Sequence, residues 1–241
     1  YIVAEKNLGS IDPAFFGEFM TNVQEMFDYG RALLLKRRAE PREDLLTALA
    51  LAKVDGDLLP DEFLDGSWLL IVFAGSDTTR NSISGTIKLL TEFAAEKARV
   101  QANLALLPTM VDEAIRMVSP VMYMRRTATK DAEIRGQKIA EGEKVIMYYG
   151  AANRDPAVFA NPDRFDASRA NAKDHMAFGI GPHVCLGQRV ANMQLEAVYR
   201  QILTRFPDMH WTGEIDIAPN NFVHAIRKIG VKFTPEKRKA A

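Results

Sequence analysis

Cysteine is nearly absent. Cys185 is the one thiol in 241 residues, so no internal disulfide can form and the fold must be held by its core. Long apolar runs are lacking too. The longest, residues 68–74 (WLLIVFA), falls far short of the roughly 18 residues expected of a membrane span and reads as part of a buried helix. Surplus charge of either sign is missing, because 31 basic and 31 acidic residues cancel. Nothing global therefore argues for nucleic acid or an anionic membrane as partner. No basic, apolar and cleavable leader opens the chain, and with a lone cysteine this points to the cytoplasm. Tyr1 is not methionine and stands close to a helical pattern, so the chain is expected to be incomplete. Internal repeats and low-complexity linkers are absent as well. What is present is apolar content of 47%, ample for a packed core.

The first half reads as helix after helix. Over residues 14–38, Phe15, Phe19, Val23, Met26, Phe27 and Leu34 recur near helical spacing until Pro41 interrupts. Residues 44–54 form a shorter helix that stops at the turn residues Asp55, Gly56 and Asp57. Pro60 suits the first turn of a long helix running to about Thr91. Its middle is apolar on almost every side, so it should cross the interior. Another helix opens at Leu104 to Pro108 and ends at Ser119-Pro120. Beyond it, residues 122–129, 133–139 and 144–149 are short segments punctuated by Gly136 and Gly142, the pattern of a small sheet. Residues 153–169 are polar and aperiodic, an ordered meander. A last helix covers about 186–206, two strand-like stretches cover 209–217 and 222–233, and a basic tail from Pro235 is expected to fray. The fold class is mainly α with small β-sheets (α+β), expected as one domain over residues 1–241.

The densest chemical pattern is residues 178–187, FGIGPHVCLG. Three glycines and a proline surround the only cysteine immediately before a helix. Glycine lets the backbone fold tightly and approach a flat ligand closely, and the helix start offers free N–H groups and its positive dipole end to a thiolate. A strongly donating thiolate is the axial ligand that favours O–O cleavage at haem iron. On the cysteine alone, a small buried core residue is an equal alternative.

With its context the segment resembles the haem-binding loop of the cytochrome P-450 superfamily, the haem-thiolate monooxygenases. That loop has Phe and Gly at positions 178 and 179, a basic residue two before the cysteine and Gly two after it. The resemblance implies Cys185 as the metal ligand, with Phe178, Gly179, His183, Leu186 and Gly187 around the cofactor, haem b (iron protoporphyrin IX).

Residues 74–79, AGSDTT, place acidic and hydroxyl groups in the middle of the apolar helix. Threonine bonded back to an i−4 carbonyl is the ordinary reason for such groups. In the resembled family this segment passes over the distal face of the haem. Ala74 and Gly75 then make room for oxygen, and Asp77 and Thr78 match the acid-alcohol pair that manages protons. Glu113 and Arg116, three apart on one helix, form a weak pattern alone, since such pairs abound on solvated faces. The family has an E-x-x-R pair here joined by a meander arginine, for which Arg164 in PDRF is the match. These three are read as structural.

Arg126, with Arg125 as its competitor, and His183 match partners of the haem carboxylates. Met122, Phe222 and Val223 fall where family members line the substrate pocket, although an apolar residue is more often simply core. Ten methionines suit an adaptable apolar site, leaning toward a terpene, steroid, aromatic or fatty substrate. NRDP and PDRFD look most like the soluble bacterial branch, supplied with electrons from NAD(P)H through a ferredoxin and a ferredoxin reductase. Family members are considerably longer, which implies that an amino-terminal portion is absent. Three readings follow: an O2-using monooxygenase, a truncated relative that binds haem without turnover, and a haem-free remnant.

Overall fold

Helices dominate the first half of the chain, as the apolar spacing predicts. In the computed structural model, residues 13–220 and 222–236 are described; the tail beyond 236 and the Phe15 side chain lie outside them. Contacts divide the chain into two compact units, with the boundary between Ser76 and Asp77 inside a long helix.

In the first unit α1 spans Pro13–Ala39 and ends on Lys36, Arg37 and Arg38, cations that complement the negative end of its dipole. The α2 helix, Leu45–Ala50, is capped by Asp44, whose carboxylate accepts the Thr47 N–H at 2.8 Å. The helix expected over 44–54 therefore ends four residues early. Lys53–Val54 (β1) instead pairs antiparallel with Asp57–Leu58 (β2). Between them Asp55 (φ 53°) and Gly56 (φ 92°) are both left-handed, the geometry of a two-residue hairpin turn, which no helix could accommodate.

The α3 helix, Asp61–Glu92, follows Pro60 directly. Leu34, Ala50 and Leu64 form the core of this unit. The Trp68 indole N–H donates to the Met26 carbonyl at 3.0 Å. In the apolar middle of α3, Leu69, Leu70, Val72 and Phe73 are exposed among the described residues, Leu70 by 65%. Continuous burial of one face starts only at Asn81, with Ser82, Thr86, Leu89 and Leu90 following at helical spacing.

The second unit starts with the rest of α3 and α4 (Ala94–Ala102), a short helix that apolar spacing alone does not announce. A 3₁₀ turn, Leu104–Leu106, leads into α5, Leu107–Val118. Leu107, Met110, Val111, Ala114, Ile115 and Met117 all face inward from α5 and build the centre of the core. Ser119 closes the helix in the left-handed region at φ 44°.

Strands β3 (Tyr123–Thr127), β4 (Ala132–Ile134), β5 (Gln137–Ile139) and β6 (Lys144–Tyr148) follow, but they do not make the one small sheet expected. β3 pairs with β6, and β4 pairs with β5, in two separate antiparallel ladders. The segment over 133–139, punctuated by Gly136, lies within a hairpin, because Arg135 (φ 49°) and Gly136 (φ 82°) reverse the chain inside it. A short helix α6, Tyr149–Ala152, opens the meander, which has no regular elements until a 3₁₀ turn at Ala172–Asp174.

The α7 helix, Gln188–Arg205, packs on α5. Its Tyr199 is fully buried and donates its hydroxyl to the Ile83 carbonyl, and burial pushes that hydroxyl's pKa upward. Strands β7 (His210–Ile217) and β8 (Ile226–Lys232) pair antiparallel and close the fold. Among the described residues no helix is long and apolar enough to cross a membrane.

Candidate haem-thiolate site

The cysteine loop is a chain of tight turns held by its own backbone. Gly179 (φ 70°) and Gly181 (φ 73°) are left-handed, so the glycines at these two positions are required by the turn itself. The Cys185 N–H donates to the Phe178 carbonyl at 2.9 Å, and the Gly179 N–H to the Met176 carbonyl at 2.9 Å. Gly187 then caps α7, so Cys185 stands two residues before the N-cap of an 18-residue helix. The cysteine is free and exposed. Around it Ile180, Val184, Leu186 and Met193 also face outward. A cysteine placed for packing would be covered.

Beside this loop lies a cleft of about 270 Å³ lined by Arg126, Met147, Tyr149, Met176, Gly179 and His183, among others. Arg126 and His183, predicted from two distant parts of the sequence, thus face one cavity. The competitor Arg125 does not line it. Alternation along β3 accounts for the choice: Arg126 pairs with Val145 and shares a face with Met147, whereas Arg125 pairs with Ile146 on the opposite face.

The ion-pair cluster differs from expectation in one member. Glu113 and Arg116 are both fully buried and joined by paired bonds, Arg116 Nε to Oε2 at 2.7 Å and Nη2 to Oε1 at 2.8 Å. The third member is Arg169, whose Nε donates to both Glu113 oxygens at 2.9 and 3.0 Å. Arg164 is exposed, and what it contributes is its backbone carbonyl, accepting from Arg169 at 2.9 Å. The guanidiniums also hold the carbonyls of Asn153, Ala160 and Pro162 at 2.6 to 2.8 Å. A segment without strands or helices is therefore ordered by two cations that satisfy its carbonyls. The reason for the correction is local: Asp166 to Ala172 turns back through Arg169 N–H to the Asp166 carbonyl, which aims Arg169 inward and leaves Arg164 outside.

On α3, Asp77 accepts from Arg80 Nη2 at 2.7 Å, and its carbonyl accepts from Asn81 Nδ2 at 2.9 Å. Asn81 also accepts the Ile226 N–H at 2.8 Å, tying the turn after Asp77 and Thr78 to the start of β8. Ala74 and Gly75 are exposed, and a Cβ at Gly75 would meet no heavy atom within 4 Å. Met122, Phe222 and Val223 are brought together: Met122 N–H donates to the Phe222 carbonyl at 2.8 Å, and Val121 bridges Val223. Val223 itself is buried among Ala218, Ala225 and Val121, a core position.

Two further residues bear on the loop, although neither is among the site residues expected from the sequence. Asn153, in the NRDP segment, is fully buried. His175 is buried against the Phe178 ring at 5.4 Å between centroids, and its Nδ1 accepts the Ala177 N–H at 3.2 Å. Burial, reinforced by the nearby Arg116 charge, pushes the His175 pKa down from 6.5 to about 4. Below pH 6.5 the unfolded chain takes up a proton that the folded chain refuses, so stability falls as pH drops from about 6.5 to about 4 and levels off beneath that. At 1.36 kcal/mol per unit this amounts to about 3 kcal/mol. Urea unfolding at pH 7 and pH 4.5 should show His175→Asn losing less stability on acidification than the parent chain. Equal losses would mean that His175 is not the group responsible.

The family model for cytochrome P450 matches residues 11–233. Linalool 8-monooxygenase of Pseudomonas putida is 37% identical over 239 residues, 95% of this chain and 57% of that protein. A steroid C26-monooxygenase of Mycobacterium tuberculosis is 36% identical over 86% of this chain and 56% of its own length. Among solved structures, a cytochrome P450 of Mycobacterium marinum in complex with pseudoionone superposes with a TM-score of 0.84 at 39% identity, covering 94% of this chain and 54% of that one. The chain belongs to the cytochrome P450 family, and it spans little more than half the length of these relatives. The family's cofactor is haem. The residues present suit it, since an exposed thiol at a helix start lies in the same loop as a cleft that gathers an arginine and a histidine for acidic groups.

Proposed function

We propose that the chain is the carboxyl-terminal, haem-holding part of a monooxygenase that inserts one atom of O2 into a hydrophobic small molecule. The observation that carries this reading is the exposed Cys185 in its glycine-bearing turn, three residues ahead of the first residue of α7. Cys185 would hold the iron of haem b, and Arg126 and His183 its carboxylates. When bound, the group supplies O2 activation and oxygen insertion. The balance is substrate plus O2, two electrons and two protons, giving hydroxylated substrate and water. The electrons are assigned to NAD(P)H through a ferredoxin reductase and a ferredoxin. A cytoplasmic setting would keep the lone thiol reduced.

The substrate class is an apolar one, terpene, steroid or fatty, in keeping with relatives named for linalool and steroid oxidation. Met122 and Phe222 are assigned to its pocket, with Val223 behind them as support. Residues 1–241 act in this reading as one haem-binding domain.

On the distal side, Asp77 and Thr78 are the residues to which proton handling is assigned. A hydroxyl at Thr78 can orient the water that delivers protons, and the Asp77 carboxylate, held by Arg80, can relay them from solvent. Were that handling to fail, O2 with two electrons and two protons would be lost as hydrogen peroxide in place of product. Thr78→Ala should therefore raise peroxide released per NAD(P)H consumed, with general acid–base contributions of roughly 10²–10⁴ at stake. Turnover with linalool and pseudoionone as probes, scored for product against peroxide, checks it. Unchanged coupling would take Thr78 out of the mechanism.

A further inference from the structure

Cys185 sits in a loop whose inner end is stitched to the E-x-x-R helix by one residue. Asn153 is fully buried and uses every polar atom. Its backbone N–H donates to the Tyr149 carbonyl at 2.8 Å, and its carbonyl accepts from Arg116 Nη1 at 2.6 Å. Its side-chain Nδ2 donates to Ser119 Oγ at 2.8 Å, and its Oδ1 accepts the Met176 N–H at 2.6 Å. Ser119 Oγ in turn donates to the Arg116 carbonyl at 2.9 Å. From Met176 the path continues through the Gly179 N–H on the Met176 carbonyl and the Cys185 N–H on the Phe178 carbonyl.

We infer that Asn153 is a positioning residue for the metal ligand, clamping the Cys185 loop to the capped end of α5. Three features support the assignment. Met176 starts the turn that closes at left-handed Gly179, with Gly181 opening the next, so fixing its amide fixes where the chain of turns begins. Met176 and Tyr149, bonded to the side chain and backbone of Asn153, both line the cleft shared with Arg126 and His183. Only a carboxamide of this length offers a donor to Ser119 and an acceptor to Met176 at once. An apolar replacement leaves the Met176 N–H without its acceptor on one side and takes from Ser119 Oγ the donor on the other, leaving that hydroxyl only its bond to the Arg116 carbonyl. The assignment rests on the reading of Cys185 as the iron ligand, but the geometry it predicts is measurable without haem.

The test is amide hydrogen exchange on the haem-free chain, comparing the parent with Asn153→Leu and Ser119→Ala. Asn153→Leu should speed exchange over residues 176–187 by at least about tenfold, equivalent to about 1.4 kcal/mol of local opening, with α7 beyond Gln188 unchanged. Ser119→Ala frees the carboxamide on one side and should give a smaller rise confined to the same residues. Exchange over 176–187 that stays at the parent rate in either folded variant overturns the inference. If Asn153→Leu does not fold, Ser119→Ala alone decides it. In parallel, haem-loaded Asn153→Leu, reduced under carbon monoxide, should show a smaller share of the red-shifted thiolate band than the parent. A parent without that band, but with the exchange pattern intact, would refute the ligand reading and leave the clamp standing.

Discussion

Replacing Cys185 with serine should abolish the red-shifted absorption band that a thiolate ligand produces in the dithionite-reduced, carbon monoxide-treated protein. The effect is all or none because the chain contains no second thiol: Cys185 is its single cysteine. Serine preserves size and keeps the backbone bond from residue 185 to the Phe178 carbonyl, so the loop should retain its turn. What is lost is the soft, strongly donating ligand that the proposed site requires. The measurement is the reduced difference spectrum of parent and variant at matched haem content, together with intact mass. A band that persists unchanged in Cys185→Ser would end the assignment of the site.

The second large effect concerns the buried charges. Arg169→Met should destabilise the chain by about 3–5 kcal/mol, because Glu113 loses one of its two buried cations and the carbonyls of Ala160 and Arg164 lose their donor. Arg164→Met should stay within about 0.5 kcal/mol, as expected of an exposed side chain with no role beyond its backbone. Differential scanning calorimetry of the two variants separates them. By the size scaling of melting temperatures, the first should melt roughly 6–20 °C lower, while the second should match the parent within about 2 °C. The reverse order would restore Arg164 to the cluster and displace Arg169.

That contrast marks where the sequence is legible and where it is not. Cys185, its glycines and the following helix are contiguous, so local turn chemistry and helix-start electrostatics make the motif readable at once. Glu113 and Arg116 are similarly local, three residues apart on α5. The choice between Arg164 and Arg169 depends on how an aperiodic segment turns back on itself, and five residues of sequence carry no periodicity from which to read that turn. Asn153 belongs to the NRDP motif, yet its role arises from partners at Ser119 and Met176, 34 and 23 residues away.

The elements that depart from expectation have equally particular causes. Residues 44–54 look helical by composition, but two left-handed residues at 55 and 56 favour a hairpin over another helical turn. The apolar middle of α3 suggests an interior location. Its Leu70 and Phe73 are exposed in a chain that spans little more than half the length of its relatives, so an apolar circumference states what a helix needs around it without supplying the neighbours. By contrast, β7 and β8 match the stretches expected at 209–217 and 222–233 to within a few residues, since alternation over such lengths suits a strand and not a helix.

The order in which the buried charges emerge during synthesis also matters. Glu113 leaves the ribosome 56 residues before Arg169. At ~5–20 residues per second, that delay is roughly 3–11 s. For that interval the nascent α5 carries a carboxylate and a guanidinium that must stay hydrated, so its inward face cannot yet be sealed. The helix at the heart of the core is thus made early and locked late, once the meander that carries Arg169 has followed it.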